Sequence, residues 1–303
     1  MKLNSGELIK QMRKDMDISQ EDMADRLYIS PRQLSRIETG EKSLDIWQFT
    51  SLMELLGLPT EDFWLLYLEA NEYREYLLYK QIKRLLKERK FLEAKDVLLE
   101  LENNSLSERP FINQFIAYAK VATDKDMPHE QAIEGLYAAI LISRKDFDES
   151  KVSEYRLNYN EISILNHLAL RLNNSGEKER AITITKAIIE SRDSIRASEE
   201  DKATHLPSLT FNLSNYLGQA GRYKESLDYC DKAIKVSREY GNLGTVPRIL
   251  HNMASCYRLL GEEQQVYKTY LVRAYHCAYA IGDNEVANNI KKDAEAKFGI
   301  TDL

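Results

Sequence analysis

The 303-residue sequence predicts an all-α protein: a small N-terminal domain of short helices, then a right-handed solenoid of helical hairpins. Three observations carry this. Glycine (12) and proline (6) are scarce for the length, which disfavours folds built on many tight turns and favours helices. Apolar residues recur at three- and four-residue spacing along most of the chain. And two blocks, 211–234 and 251–274, align without gaps at a 40-residue offset, a period that signals stacked repeats.

The N-terminal elements come first. In "SGELIKQMRKDM", Leu8, Ile9, Met12 and Met16 make one helical stripe. "SQEDMADRLY" starts at Ser19 with Asp22 three residues on, a capping-box pattern, and its inner face is Met23, Ala24 and Leu27. "YIS" is a tight turn into "SPRQLSRIETGE". There Ser30 is the N-cap, Pro31 suits the first helical position, and Gln33 completes the box. Leu34 and Ile37 share the buried side, so Arg32, Ser35 and Arg36 point outward. Gly40 ends the helix, and "LDIWQFTSLMELLG" follows with Leu44, Trp47, Leu52, Leu55 and Leu56 as its apolar positions. Two short helices joined by a brief turn inside a small helical domain describe a helix-turn-helix. A short helix with a basic outer face needs a partner carrying negative charge.

The net charge of −6 argues against nonspecific nucleic-acid binding by the whole surface. Residues 1–58 hold eight Lys/Arg against ten Asp/Glu, so a local face of Lys10, Arg13, Lys14, Arg32, Arg36 and Lys42 must supply any DNA contact. "SQEDMADRLYISPRQLSRIETGE" resembles the phage-repressor (Cro-like, XRE) helix-turn-helix family at Ser19, Gln20, Met23, Ala24, Ser30, Leu34, Ile37, Glu38 and Gly40. The resemblance implies that Gln20 meets a backbone phosphate. It implies that Ser30, Pro31, Arg32, Ser35 and Arg36 lie at the major groove, and that Arg13 and Glu38 form a structural ion pair. Pro31 stands where many members carry a polar base-reading residue. Arginine suits guanine because its fork meets O6 and N7 together, and it suits phosphate equally well.

From Thr60, a natural N-cap, "TEDFWLLYLEANEYREYLLYKQIKRLLKERK" reads as one or two long helices with a basic stretch from Lys80 to Lys90. The block 166–188 joins the repeat alignment at a 45-residue offset, with Gly176 on Gly221, and weaker hairpins precede it. "LGQAGRYKES" resembles the tetratricopeptide repeat, although the spacing exceeds the roughly 34 residues of that repeat. Such a solenoid lines its concave face with the first helix of each pair. The candidate groove residues are His167, Asn174, Asn212, Asn215, Gln219, Arg248, Asn252 and Ser255. Asn212 and Asn252 occupy the same repeat position, where a carboxamide can donate and accept at once.

The expected organisation is a helix-turn-helix domain over 1–58, a linker helix over 59–75 and a tetratricopeptide-like (TPR-like) repeat domain over 76–303. Together these resemble the Rgg/PlcR/PrgX-type (RRNPP) peptide-sensing regulators of Gram-positive bacteria. That resemblance implies a homodimer on an inverted-repeat operator in double-stranded DNA, controlled by a short signalling peptide in the repeat groove: quorum sensing. The alternative is a TPR-type protein–protein adaptor with a helix-turn-helix and no peptide gating. No nucleophile–base arrangement, phosphate loop or metal-ligand spacing is present, so no catalytic residue, cofactor or metal is expected. Cys230, Cys256 and Cys277 form no C-x-x-C and read as reduced thiols. No apolar run approaches a membrane span or a signal-peptide core, and the expected location is the cytoplasm.

Overall fold

The computed structural model describes residues 5–55, 70–104, 110–195 and 197–301. The chain divides into two compact units, Met1–Leu106 and Ser107–Leu303. Among the described residues the regular structure is helical, and none of the helices is long and apolar enough to cross a membrane.

The first unit holds α1 (Ser5–Asp15), α2 (Gln20–Arg26), α3 (Pro31–Glu38), α4 (Ile46–Leu55), α5 (Ala70–Lys87) and α6 (Phe91–Asn104). Leu8, Ile9, Met12, Met23, Ala24, Leu27, Leu34, Ile37, Leu52 and Met53 form one core across α1 to α4. Met16, expected on the buried stripe of α1, is 44% exposed. The helix stops at Asp15, and the chain turns through Asp17 at φ 52° before the stripe comes round again. Helices α5 and α6 pair as a hairpin, burying Leu78, Ile82, Leu85, Ala94, Leu98 and Leu101. Most of the expected linker over 59–75 lies outside the described residues, as do the side chain of Trp47 and all of Leu56.

The second unit stacks four hairpins and a closing helix. These are α7 (Pro110–Thr123) with α8 (His129–Ser143), α9 (Tyr159–Asn174) with α10 (Lys178–Glu190), α11 (Glu199–Gln219) with α12 (Tyr223–Glu239), α13 (Val246–Leu259) with α14 (Gln264–Ala280), and then α15 (Asn284–Phe298). The aligned glycines end the first helix of three successive pairs. Gly176, Gly221 and Gly261 sit at φ 98°, 80° and 81°. Each donates its N–H to the carbonyl three residues back, and the next residue donates five back, as Glu177 does to Leu172 at 2.9 Å. This Schellman closure requires a left-handed residue and explains why glycine repeats there. The main core runs from α7 to α11 on residues such as Leu136, Ile140, Leu165, Leu168, Ile184, Leu213 and Tyr216, and a second cluster on Ala254, Leu271, Ala274 and Ile290 serves α13 to α15.

Candidate nucleic-acid interface and ligand groove

The capping boxes aim α3. Ser19 accepts the Asp22 N–H at 3.0 Å at the start of α2. Ser30 accepts the Gln33 N–H at 3.2 Å, and Gln33 Oε1 accepts the Ser30 N–H at 3.0 Å. With Leu34 and Ile37 fully buried, Pro31, Arg32, Ser35 and Arg36 face out and are exposed. Arg36 makes one loose pair with Glu41 at 3.5 Å, both side chains more than half exposed, a contact worth little in water. Arg32 has no partner among the described residues, so both guanidiniums are available to an anion.

Behind that face is a tight anchor. Arg13 Nε meets Glu38 Oε1 at 2.7 Å, and Nη2 meets Oε2 at 3.2 Å, while Nη1 donates to the Ile18 carbonyl at 3.0 Å. Glu38 is only 4% exposed. Gln20, whose expected partner was a phosphate, turns Nε2 inward to Glu38 Oε2 at 3.0 Å. The carboxylate has lone pairs for all three donors and attracts the amide away from solvent. Gly6 lets α1 touch α3: a Cβ there would lie 2.1 Å from the Ile37 carbonyl oxygen.

In the second unit the first helices α11 and α13, with α15 and Tyr223 of α12, line an open groove of about 470 Å³. Five expected groove residues line it: Asn215, Gln219, Arg248, Asn252 and Ser255. Three do not. His167 packs edge-on to Tyr118 with ring centroids 6.2 Å apart and accepts Arg171 Nε at 3.4 Å. Burial, and then Arg171, push its pKa down to about 4, so it is neutral. Asn174 is exposed at the end of α9. Asn212 donates Nδ2 to Asn166 Oδ1 at 2.9 Å, which ties α11 to α9.

Asn252 lines the cavity yet is also turned inward. Its Nδ2 lies 3.2 Å from Ser214 Oγ, 3.2 Å from Ser226 Oγ and 3.4 Å from Cys230 Sγ. Asn212 and Asn252 therefore share a tie to the preceding layer; this corrects the expected groove role of Asn212, while Asn252 makes that tie and lines the cavity as well. Gln219 likewise accepts Asn173 Nδ2 at 2.8 Å. The remaining polar wall was not foreseen. Asp293 and Lys297 pair at 2.9 Å on α15, and His251 Nε2 lies 3.3 Å from Asp293 Oδ2. Burial lowers the pKa of His251, and Asp293 opposes that. Arg248 meets Asp283 at 3.4 Å. Phe211, Leu259, Val286 and Ile290 supply apolar surface. Helix α15 has no counterpart in the repeat alignment, which is why its contribution was invisible there.

Comparison with known proteins joins the two halves. Residues 9–63 match the helix-turn-helix family model, and residues 212–240 match a tetratricopeptide-repeat model. No curated protein matches. Among solved structures, Bacillus thuringiensis PlcR in complex with the peptide PapR7 and DNA is similar over 95% of this chain and 99% of that one, with TM-score 0.66 and 19% identity. The chain has the PlcR fold. ComR from S. thermophilus, in complex with DNA and its signalling peptide ComS, shares that fold at 16% identity, covering 98% and 100% of the two chains with TM-score 0.57. The Streptococcus dysgalactiae SHP pheromone receptor Rgg2 does so at 15% identity over 97% and 99%, with TM-score 0.53.

Proposed function

We propose that this protein is a cytoplasmic, homodimeric transcription regulator that binds an operator in double-stranded DNA through α3 and a short signalling peptide through the groove of its second unit. One observation carries the reading: a single chain of the PlcR fold presents two separate ligand surfaces. One is the exposed arginine face of α3, where Arg32 is free among the described residues and Arg36 holds one loose pair with Glu41. The other is the concave cavity on α11, α13 and α15. PlcR with PapR7 and DNA, and ComR with ComS and DNA, are structures in which that fold holds both kinds of ligand. The groove suits a peptide because it mixes apolar surface with carboxamides and charges of both signs. The α3 face suits DNA because arginine reads guanine and phosphate alike. Dimerisation follows from reach: one short helix contacts few base pairs, so two half-sites are needed for useful specificity. The protein is a binding protein rather than an enzyme in this reading.

The test has two arms. Purified protein is equilibrated with the peptide fraction of spent culture medium, and captured peptides are identified by mass spectrometry. DNA binding to a duplex enriched from a randomised library is then measured by fluorescence anisotropy with and without the captured peptide. The expected result is a peptide that changes operator affinity, a loss of about 1–3 kcal/mol in Arg32→Ala or Arg36→Ala, and sedimentation at twice the chain mass. An affinity indifferent to every captured peptide, with normal DNA binding, would leave the adaptor reading in its place.

A further inference from the structure

We propose that Tyr28 is a DNA-backbone contact: from the turn that leads into α3, its phenol donates a hydrogen bond to a phosphate oxygen at the rim of the major groove. This rests on the reading of α3 as the DNA-recognition helix. The observation behind it is a misfit between residue and conformation. Tyr28 sits at φ 55° and is 90% exposed. Its N–H donates to the Asp25 carbonyl at 3.1 Å, and the Ile29 N–H donates to Ala24 at 3.0 Å, the Schellman closure again. Gly40, Gly176, Gly221, Gly241, Gly261 and Gly282 fill the left-handed position of the same closure elsewhere, and the polar residues Asp17 and Arg89 fill it at φ 52° and 59°. Here an aromatic residue fills it, against the steric preference of a side chain with a Cβ.

The core does not require the ring. Leu27 before it is 1% exposed and Ile29 after it packs on the same core, so the turn is anchored on both sides and Tyr28 is held outward. A protein-docking patch does not explain it either. Among the described residues of 5–55, the other exposed large apolar side chain is Met16, which lies beyond the end of α1. What lies beside Tyr28 is Ser30, the N-cap of α3, followed by Arg32, Ser35 and Arg36. A recognition helix enters the groove by its N-terminal end, so the turn before it comes next to a phosphate strand. A tyrosine hydroxyl is a neutral phosphate donor. A strained residue kept at a functional edge is the pattern expected when the strain serves binding.

The full-length chain is tested on the duplex enriched from a randomised library, over a series of salt concentrations. Tyr28→Phe keeps the ring and the backbone strain. It is expected to bind about fivefold more weakly, with an unchanged melting temperature and an unchanged slope of log K against log salt, because no cation is lost. Tyr28→Gly relieves the turn, so its melting temperature is expected to rise while its affinity falls at least as far. Arg36→Ala is expected to lower both affinity and slope. If both Tyr28 variants bind as tightly as wild type while Arg36→Ala weakens binding, the contact is wrong and the DNA reading stands. If Tyr28→Gly alone weakens binding, the hydroxyl–phosphate bond is overturned. If no duplex is enriched, or Arg32→Ala and Arg36→Ala also bind normally, the recognition-helix reading fails and the Tyr28 contact with it.

Discussion

Replacing Arg13 with alanine strips Glu38 of its two guanidinium hydrogen bonds and leaves the carboxylate, 4% exposed, with Gln20 as its remaining side-chain donor. An ionised carboxylate at that depth without its counter-charge is expensive. Breaking a buried pair from one side costs about 3–5 kcal/mol, against roughly 0–1 for an exposed pair. The side chains of Arg13 and Glu38 are 11% and 3% exposed, which places this pair in the first class, and about 3 kcal/mol is expected for Arg13→Ala. A double change, Arg13→Met with Glu38→Met, removes both charges and refills the space, and it should cost less than Arg13→Ala alone. The chain's two tryptophans, Trp47 and Trp64, both fall within the first unit, so urea unfolding followed by tryptophan fluorescence isolates this part. Operator affinity should fall in parallel, because the pair fixes α3 to α1 and so sets the direction of Arg36. The reasoning fails if Arg13→Ala costs under about 0.5 kcal/mol, or if the double variant costs the sum of the two single ones.

Three further outcomes follow from the same geometry. Gly6→Ala places a methyl 2.1 Å from the Ile37 oxygen and 2.9 Å from Glu38 backbone atoms; since backbone cannot swing aside, a loss of about 1–3 kcal/mol is expected in the same fluorescence assay. Ser30→Ala removes the N-cap bond of α3 and should cost about 1 kcal/mol, with a weaker operator complex by anisotropy. His167 stays neutral in the folded state down to about pH 4, while the unfolded chain takes up its proton near pH 6.5. Protons therefore favour unfolding between those values: stability is full above about pH 6.5 and falls by up to about 3 kcal/mol as pH drops toward 4. Urea midpoints by circular dichroism at pH 7 and pH 5 should differ less in His167→Gln than in wild type.

The helix-turn-helix was legible in the sequence because its signals are local. Ser30, Pro31 and Gln33 act within one turn, and Leu34 and Ile37 show the buried side by spacing alone. The glycine turns of the repeats were legible for the same reason, since the left-handed closure favours one residue type. Groove chemistry was not. Whether Asn252 faces a ligand or a neighbouring helix depends on Ser214 and Ser226 arriving from α11 and α12, which no repeat alignment encodes. Helix α15 escaped because it closes the stack without a pair, so Asp293 and Lys297 had no equivalents against which to be read. Tyr28 escaped because nothing in a tyrosine announces a positive φ.

The inward turn of Asn252 also separates stability from recognition within one cavity. Asn252→Ala removes the amide that bridges α13 to Ser214 and Ser226. Those hydroxyls keep other partners: Ser214 Oγ donates to the Phe211 carbonyl at 2.7 Å, and Ser226 Oγ to the Ser214 carbonyl at 2.6 Å. No donor is stranded, so the expected loss is about 1–2 kcal/mol rather than more. Asn215 lines the same cavity, on α11, and its side chain makes no hydrogen bond to any described residue. Asn215→Ala should therefore leave the melting curve unchanged and weaken a bound peptide about two- to tenfold, the worth of one hydrogen bond. Melting curves alongside calorimetric titration with the captured peptide divide the two roles. Asn252→Ala melting like wild type would show that the amide at 252 does not tie these layers together, and Asn215→Ala melting as early as Asn252→Ala would show that Asn215 holds the fold rather than a ligand.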